Sequence, residues 1–152
     1  YEGVLNGKSL KQAYMDALHI SESNIINQTF HNPLGKMNGQ DICIISLKEV
    51  SGNGLCCYRQ VNDSDVLVLL EEQDYNEILD ETLQRIRRDF NHISGVFSIN
   101  CVFRYLLFSQ EHHMEDYLKT MSTLGEHAGL IGFGEHYNQQ FVNQTMTCVV
   151  FE

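Results

Sequence analysis

The sequence predicts an α+β domain, a largely antiparallel sheet of about six strands with helices packed mainly on one face, in the order α-βββ-α-β-α-ββ. Three observations lead there. Short apolar runs separated by turn-forming residues fill 42–71. Apolar residues recur at helical spacing over 74–90 and 112–124. Further apolar runs occupy 96–108 and the end of the chain.

Taken in order, Ser9 offers an N-cap to a helix from Leu10 to Leu18, with Leu10, Tyr14, Ala17 and Leu18 on one face. Residues 19–40 read as a polar connector around Pro33, the single proline of the chain. ICIISLKEV (42–50), LCCYRQV (55–61) and DVLVLLE (65–71), with the turns SGNG (51–54) and NDSD (62–65), have the pattern of an antiparallel meander. Asp74 caps the clearest helix, whose stripe is Tyr75, Leu79, Leu83, Ile86 and Phe90. The run from Val96 to Phe108 is strand-like. A second amphipathic helix then carries Met114, Tyr117, Leu118, Met121 and Leu124, and Gly125 ends it. GLIGFGE (129–135) and FVNQTMTCVVF (141–151), joined by HYNQQ, read as a closing hairpin. A mixed sheet with one parallel crossover through the 74–90 helix is the alternative topology.

The chain has 152 residues, enough for one domain with a real core, and residues 1–152 are read as a single domain. No apolar run reaches the length needed to cross a bilayer. The first residues carry no secretory signal pattern, and the chain begins at Tyr1 rather than Met, as a piece of a longer protein or a chain freed of a tag would. A net charge of −10 argues against nucleic acid or an anionic membrane surface as partner. The five cysteines are an odd number and form no CxxC, so a reduced, cytoplasmic setting is expected. No spacing of His and Cys supports a metal, GFG at 132–134 is not a dinucleotide loop, and no cofactor is expected.

The chemistry is expected on one strand face. Alternation along 96–108 puts Phe97, Ile99, Cys101, Phe103, Tyr105 and Leu107 on a core side, and on the other a mixed row of Val96, Ser98, Asn100, Val102, Arg104, Leu106 and Phe108. In the last strand Val142, Met146, Cys148 and Val150 fall on a core side, and Asn143, Thr145 and Thr147 form a polar row. Such rows either line the floor of a ligand pocket or are half-solvated sheet faces. Glu135, the one acidic residue in its apolar stretch, is a natural partner for Arg104, as a structural ion pair or in a ligand site. Cys101 with a histidine would make a nucleophile–base pair, but a thiol on a core face is normally inert. No catalytic residue is expected, and the protein is read as a non-enzyme.

NCVFR, GFGE and FVNQTMTCVVF together resemble the C-terminal half of the FIST domain, a sensory module of bacterial signalling proteins and some eukaryotic F-box proteins. Cys101 and Arg104 match its Cys-x-x-Arg motif. Gly132, Phe133, Gly134 and Glu135 match its Gly-Phe-x-x-Gly-Glu-like segment. Asn143 and Thr145 match the polar positions near the final strand, and His31, Asn32, Pro33 and Leu34 resemble its His-Pro-like element. The resemblance spans about residues 10–152. This chain has Phe103 and Tyr105 where the family has glycines, and Ser46 where it often has an arginine, changes that reshape a pocket.

The resemblance implies a small-ligand-binding sensory domain of an intracellular signal transduction protein, with amino acids or related carboxylates as suspected ligands. It also implies an N-terminal FIST half and a signalling output domain as partners. The expected ligand-binding residues are Arg104, Glu135, Asn100, Asn143, Thr145 and Cys101, with Arg104 binding and Cys101 mainly packing. The other reading is a protein–protein interaction or dimerisation module without a small ligand.

Overall fold

A computed structural model of the chain describes residues 4–5, 7–138 and 140–152. It divides into two compact units, Tyr1–Glu72 and Gln73–Glu152, and its α+β class is the predicted one.

In the first unit the short strands β1 (Val4–Leu5) and β2 (Lys8–Ser9) pair antiparallel and lead into α1 (Leu10–Leu18). Ser9 caps α1 as predicted, its hydroxyl accepting the Gln12 N–H at 3.2 Å. The expected connector at 19–40 instead contains a short helix α2 (Ile25–Gln28) and a strand β3 (Leu34–Asn38). β3 is the middle strand of a sheet ordered β4-β3-β7, where β4 is Asp41–Ile45 and β7 is Leu67–Leu69. Its sequence LGKMN hides this, because Gly35 leaves a gap in the apolar pattern. The gap is structural: a Cβ at Gly35 would lie 2.8 Å from Ile42 and 2.9 Å from Val68, on the two neighbouring strands.

The predicted meander is corrected in the same unit. ICIISLKEV breaks at Ser46 into β4 and β5 (Leu47–Ser51), which belong to different sheets. β5 forms the expected hairpin with β6 (Gly54–Cys57) through Gly52 at φ 56, while β7 pairs with β3 rather than with β6. The core gathers Leu10, Tyr14, Ile25, Leu34, Ile45, Leu47 and Leu55. Thr29 is buried with them, its hydroxyl accepting the Leu47 N–H at 2.8 Å.

The second unit opens on α3 (Tyr75–Asp89), where the Asp74 carboxylate accepts the N–H groups of Asn76 at 2.8 Å and Glu77 at 3.2 Å. Leu79, Leu83 and Ile86 are its buried stripe. The run 96–108 is not one strand. β8 (Gly95–Cys101) stops at Cys101 and α4 (Val102–Gln110) begins at the next residue. The β-branched residues Val96 and Ile99 lie before the break, and the helix formers Leu106 and Leu107 after it. α5 (Met114–Ser122) follows, and Gly125 turns the chain at φ 147.

The expected closing hairpin is also corrected. β9 (Glu126–Gly132) runs parallel to β8, from Gly95 opposite Glu126 to Cys101 opposite Gly132. β12 (Met146–Phe151) runs antiparallel along the other side of β8. The parallel crossover passes through α4 and α5, not through the 74–90 helix. The hairpin is a smaller one, β10 (Glu135–Tyr137) with β11 (Gln140–Val142). Asn143 and Thr145 precede β12, so the polar row expected on that strand keeps only Thr147.

Candidate functional site

β8 buries Val96, Ser98 and Asn100, while Phe97 and Ile99 are half-buried, so of the core side expected from alternation along β8 only Cys101 is buried. The polar residues can go inside because they bond to one another. Ser98 is 1% exposed and meets His127 of β9, with its hydroxyl oxygen 2.9 Å from Nε2. Asn100 donates through Nδ2 to the Tyr117 hydroxyl on α5 at 2.8 Å and to the Ser98 hydroxyl at 3.4 Å. The Tyr117 hydroxyl in turn donates to Met146 Sδ at 3.2 Å. Burial pushes the His127 pKa below its ordinary value, favouring the neutral imidazole.

Arg104 is held from the same network. It sits in the first turn of α4, four residues after Asn100, and its Nε donates to Asn100 Oδ1 at 3.1 Å. The guanidinium carbon lies 4.6 Å from the centre of the Phe108 ring and 5.5 Å from that of Tyr117. Burial lowers the Arg104 pKa, while Tyr117 and the Glu135 carboxylate pull it back up. The terminal amino groups of Arg104 meet no acceptor among the described residues. Arg104 lies on no strand face, because β8 has ended before it, and the helix turn that takes the strand's place brings Arg104 and Asn100 together.

Glu135 stands three residues beyond β9, at the carboxyl end of the parallel pair. Its side chain is 2% exposed. Oε2 accepts from the Thr145 hydroxyl at 3.0 Å, whereas the buried Oε1 has no hydrogen-bond partner. Burial raises the Glu135 pKa above its ordinary value, against the Thr145 hydroxyl and backbone and the Cys101 thiol, which favour the carboxylate. Cys101 is buried and its N–H donates to the Thr145 carbonyl at 3.1 Å, so it ties the end of β8 to the approach of β12. Gly132 leaves room beside the orphaned oxygen: a Cβ there would lie 3.8 Å from Oε1. Arg104 and Glu135 form no ion pair within bridging distance.

Two groups of expected site residues are therefore assembled, Asn100 with Arg104, and Cys101 with Glu135 and Thr145. Asn143 lies in the connection before Thr145. Sequence reasoning missed Tyr117 and His127. Tyr117 was legible only as part of the apolar stripe of its helix, and His127 carried no signal until β9 was placed parallel to β8. Next to the network, a cavity of about 110 Å³ is lined by Ser98, Asn100, Tyr117 and His127 and by apolar side chains of α4, α5 and β9. Among the described residues no helix is long and apolar enough to cross a membrane.

No curated protein and no solved structure matches the chain. The family model described as FIST C domain does match, over residues 11–138, a span that takes in α1 from its second residue, both strands of the parallel pair, the Cys101–Arg104 segment and Glu135. The chain thus belongs to the FIST C domain family, a family of signal-transduction sensory domains.

Proposed function

We propose that this sensory domain binds a small carboxylate, an amino acid or a related metabolite, with Arg104 as the carboxylate clamp. One observation carries the reading: Arg104 is anchored through Nε to Asn100 and stacked on Phe108, yet its terminal amino groups meet no acceptor among the described residues. A guanidinium held this way presents two parallel donors to a carboxylate. Its place at the carboxyl ends of β8 and β9 is where sheets with parallel strands commonly take ligands.

Glu135 complements this role. Its partnerless buried Oε1 is an acceptor waiting for a donor, and an ammonium group of the ligand would supply one. Thr145 and Cys101 position Glu135, and Asn100 positions Arg104. The occupied state would be passed to an N-terminal FIST half and an output domain of a longer signalling protein.

Calorimetric titration with L-amino acids and their deaminated counterparts tests this. Arg104→Lys keeps the charge but loses the fork, and a weakening of binding by tenfold or more is expected (about 1.4 kcal/mol). Unchanged affinity in Arg104→Lys rejects the assignment.

A second reading draws on β9, which ends the sheet ordered β12-β8-β9 and exposes Leu130 and Ile131, followed by Phe133 at 91% exposure. A concentration-dependent dimer with no response to any small molecule would favour such an interaction module.

A further inference from the structure

We propose that the cavity beside Arg104 receives the apolar tail of the bound carboxylate, and that this tail is uncharged, aliphatic and about four heavy atoms long. The inference rests on the anion-binding reading of Arg104 and deepens it.

Position comes first. Arg104 bonds to Asn100 and lies over Phe108 and Tyr117, and all three line the cavity. Arg104 thus stands behind three of the lining residues, and the tail of a carboxylate held on its terminal amino groups would reach this space past Asn100, Phe108 and Tyr117. Size follows from the volume. A dry cavity of about 150 Å³ holds benzene, six heavy atoms, so about 110 Å³ holds roughly four.

Polarity excludes the other tails. The walls and mouth are Tyr105, Phe108, Met114, Leu118, Leu130 and Ile131. Four of these, Tyr105, Leu118, Leu130 and Ile131, are between 40% and 47% exposed, apolar surface that a tail would cover. Three of the polar side chains that reach the cavity are already committed, while the Tyr105 hydroxyl at the exposed edge is not. Ser98 bonds His127, Asn100 bonds Tyr117 and Arg104, and Tyr117 bonds Met146. A hydroxyl or amine on the tail that meets Ser98, Asn100 or Tyr117 would break one of those bonds or go without one. A charged tail would lose its hydration with no counter-charge among the residues lining the cavity.

The test is calorimetric titration of the chain with the straight series alanine, α-aminobutyrate, norvaline, norleucine and α-aminooctanoate, with lysine as the charged tail. Each methylene is expected to tighten binding about fourfold as far as norleucine. α-Aminooctanoate should gain nothing further, and lysine should bind at least tenfold more weakly than norleucine. Leu118→Ala, a change at a half-exposed position of α5, should let α-aminooctanoate overtake norleucine. Equal affinity along the series, with Arg104→Lys still abolishing binding, overturns the tail pocket and leaves the clamp standing. Norleucine binding that survives Arg104→Lys unchanged overturns the clamp, and the pocket reading with it.

Discussion

Replacing Glu135 by Gln isolates the proton economy of the buried carboxyl. Gln has nearly the same shape and keeps an acceptor for the Thr145 hydroxyl, which donates to Glu135 at 3.0 Å. What it removes is the charge on a side chain 2% exposed whose Oε1 has no donor. Burial raises the pKa of Glu135 in the folded chain above its ordinary 4.5. Between 4.5 and that higher folded value the folded state binds more protons than the unfolded state. The stabilisation is therefore complete below 4.5 and is lost as pH rises through the folded value. For one proton the slope cannot exceed about 1.4 kcal/mol per pH unit. Urea unfolding followed by circular dichroism, in half-unit steps from about pH 4 to pH 8, gives the stability of both proteins. The stability of the wild type minus that of Glu135→Gln should fall with rising pH across the window and then level off. A difference that is flat, or that climbs with pH, would mean that Glu135 is stabilised as a carboxylate by a donor absent from the structure, and would refute the reasoning.

Other consequences concern packing. Tyr117→Phe keeps the ring under Arg104 but removes the hydroxyl that accepts from Asn100, and should cost about 1–3 kcal/mol in urea unfolding. Combined with Asn100→Ala it should cost clearly less than the sum of the single changes, because both remove the same bond. Gly129→Ala places a Cβ 2.5 Å from the Ser98 hydroxyl oxygen and 2.6 Å from the Ser98 carbonyl oxygen, so the parallel pair must part. A loss of about 1–3 kcal/mol is expected, with slower binding or none if the cavity shifts. Asp74→Ala removes the acceptor of two N–H groups at the start of α3 and should lower stability by about 1 kcal/mol, read by thermal or urea unfolding.

The parts that local sequence determines were legible. Ser9 and Asp74 each sit immediately before an apolar helical stripe, and the caps they form are short-range bonds that need nothing distant. SGNG announced the β5–β6 hairpin for the same reason, since its turn depends on a glycine at positive φ. The family was also legible, in the order of Cys101, Arg104, Gly132 and Glu135 along the chain.

Tertiary structure alone decided which polar residues go inside. Alternation assigned Phe97 and Ile99 to the core and Ser98 and Asn100 to the opposite face, because periodicity counts apolar side chains and cannot see hydrogen bonds. The reversal depends on Tyr117 and His127, seventeen or more residues away, which supply the partners that make burial tolerable. Arg104 shows the same division. That a guanidinium in an apolar run needs an anchor follows from its charge, but the anchor is Asn100 only because the strand ends at Cys101 and one helical turn brings the two together. Glu135 was expected to neutralise Arg104. Its neighbours in space are instead Thr145, which bonds Oε2, and Cys101, and Oε1 is left unsatisfied, a feature that exists only once three separate segments meet.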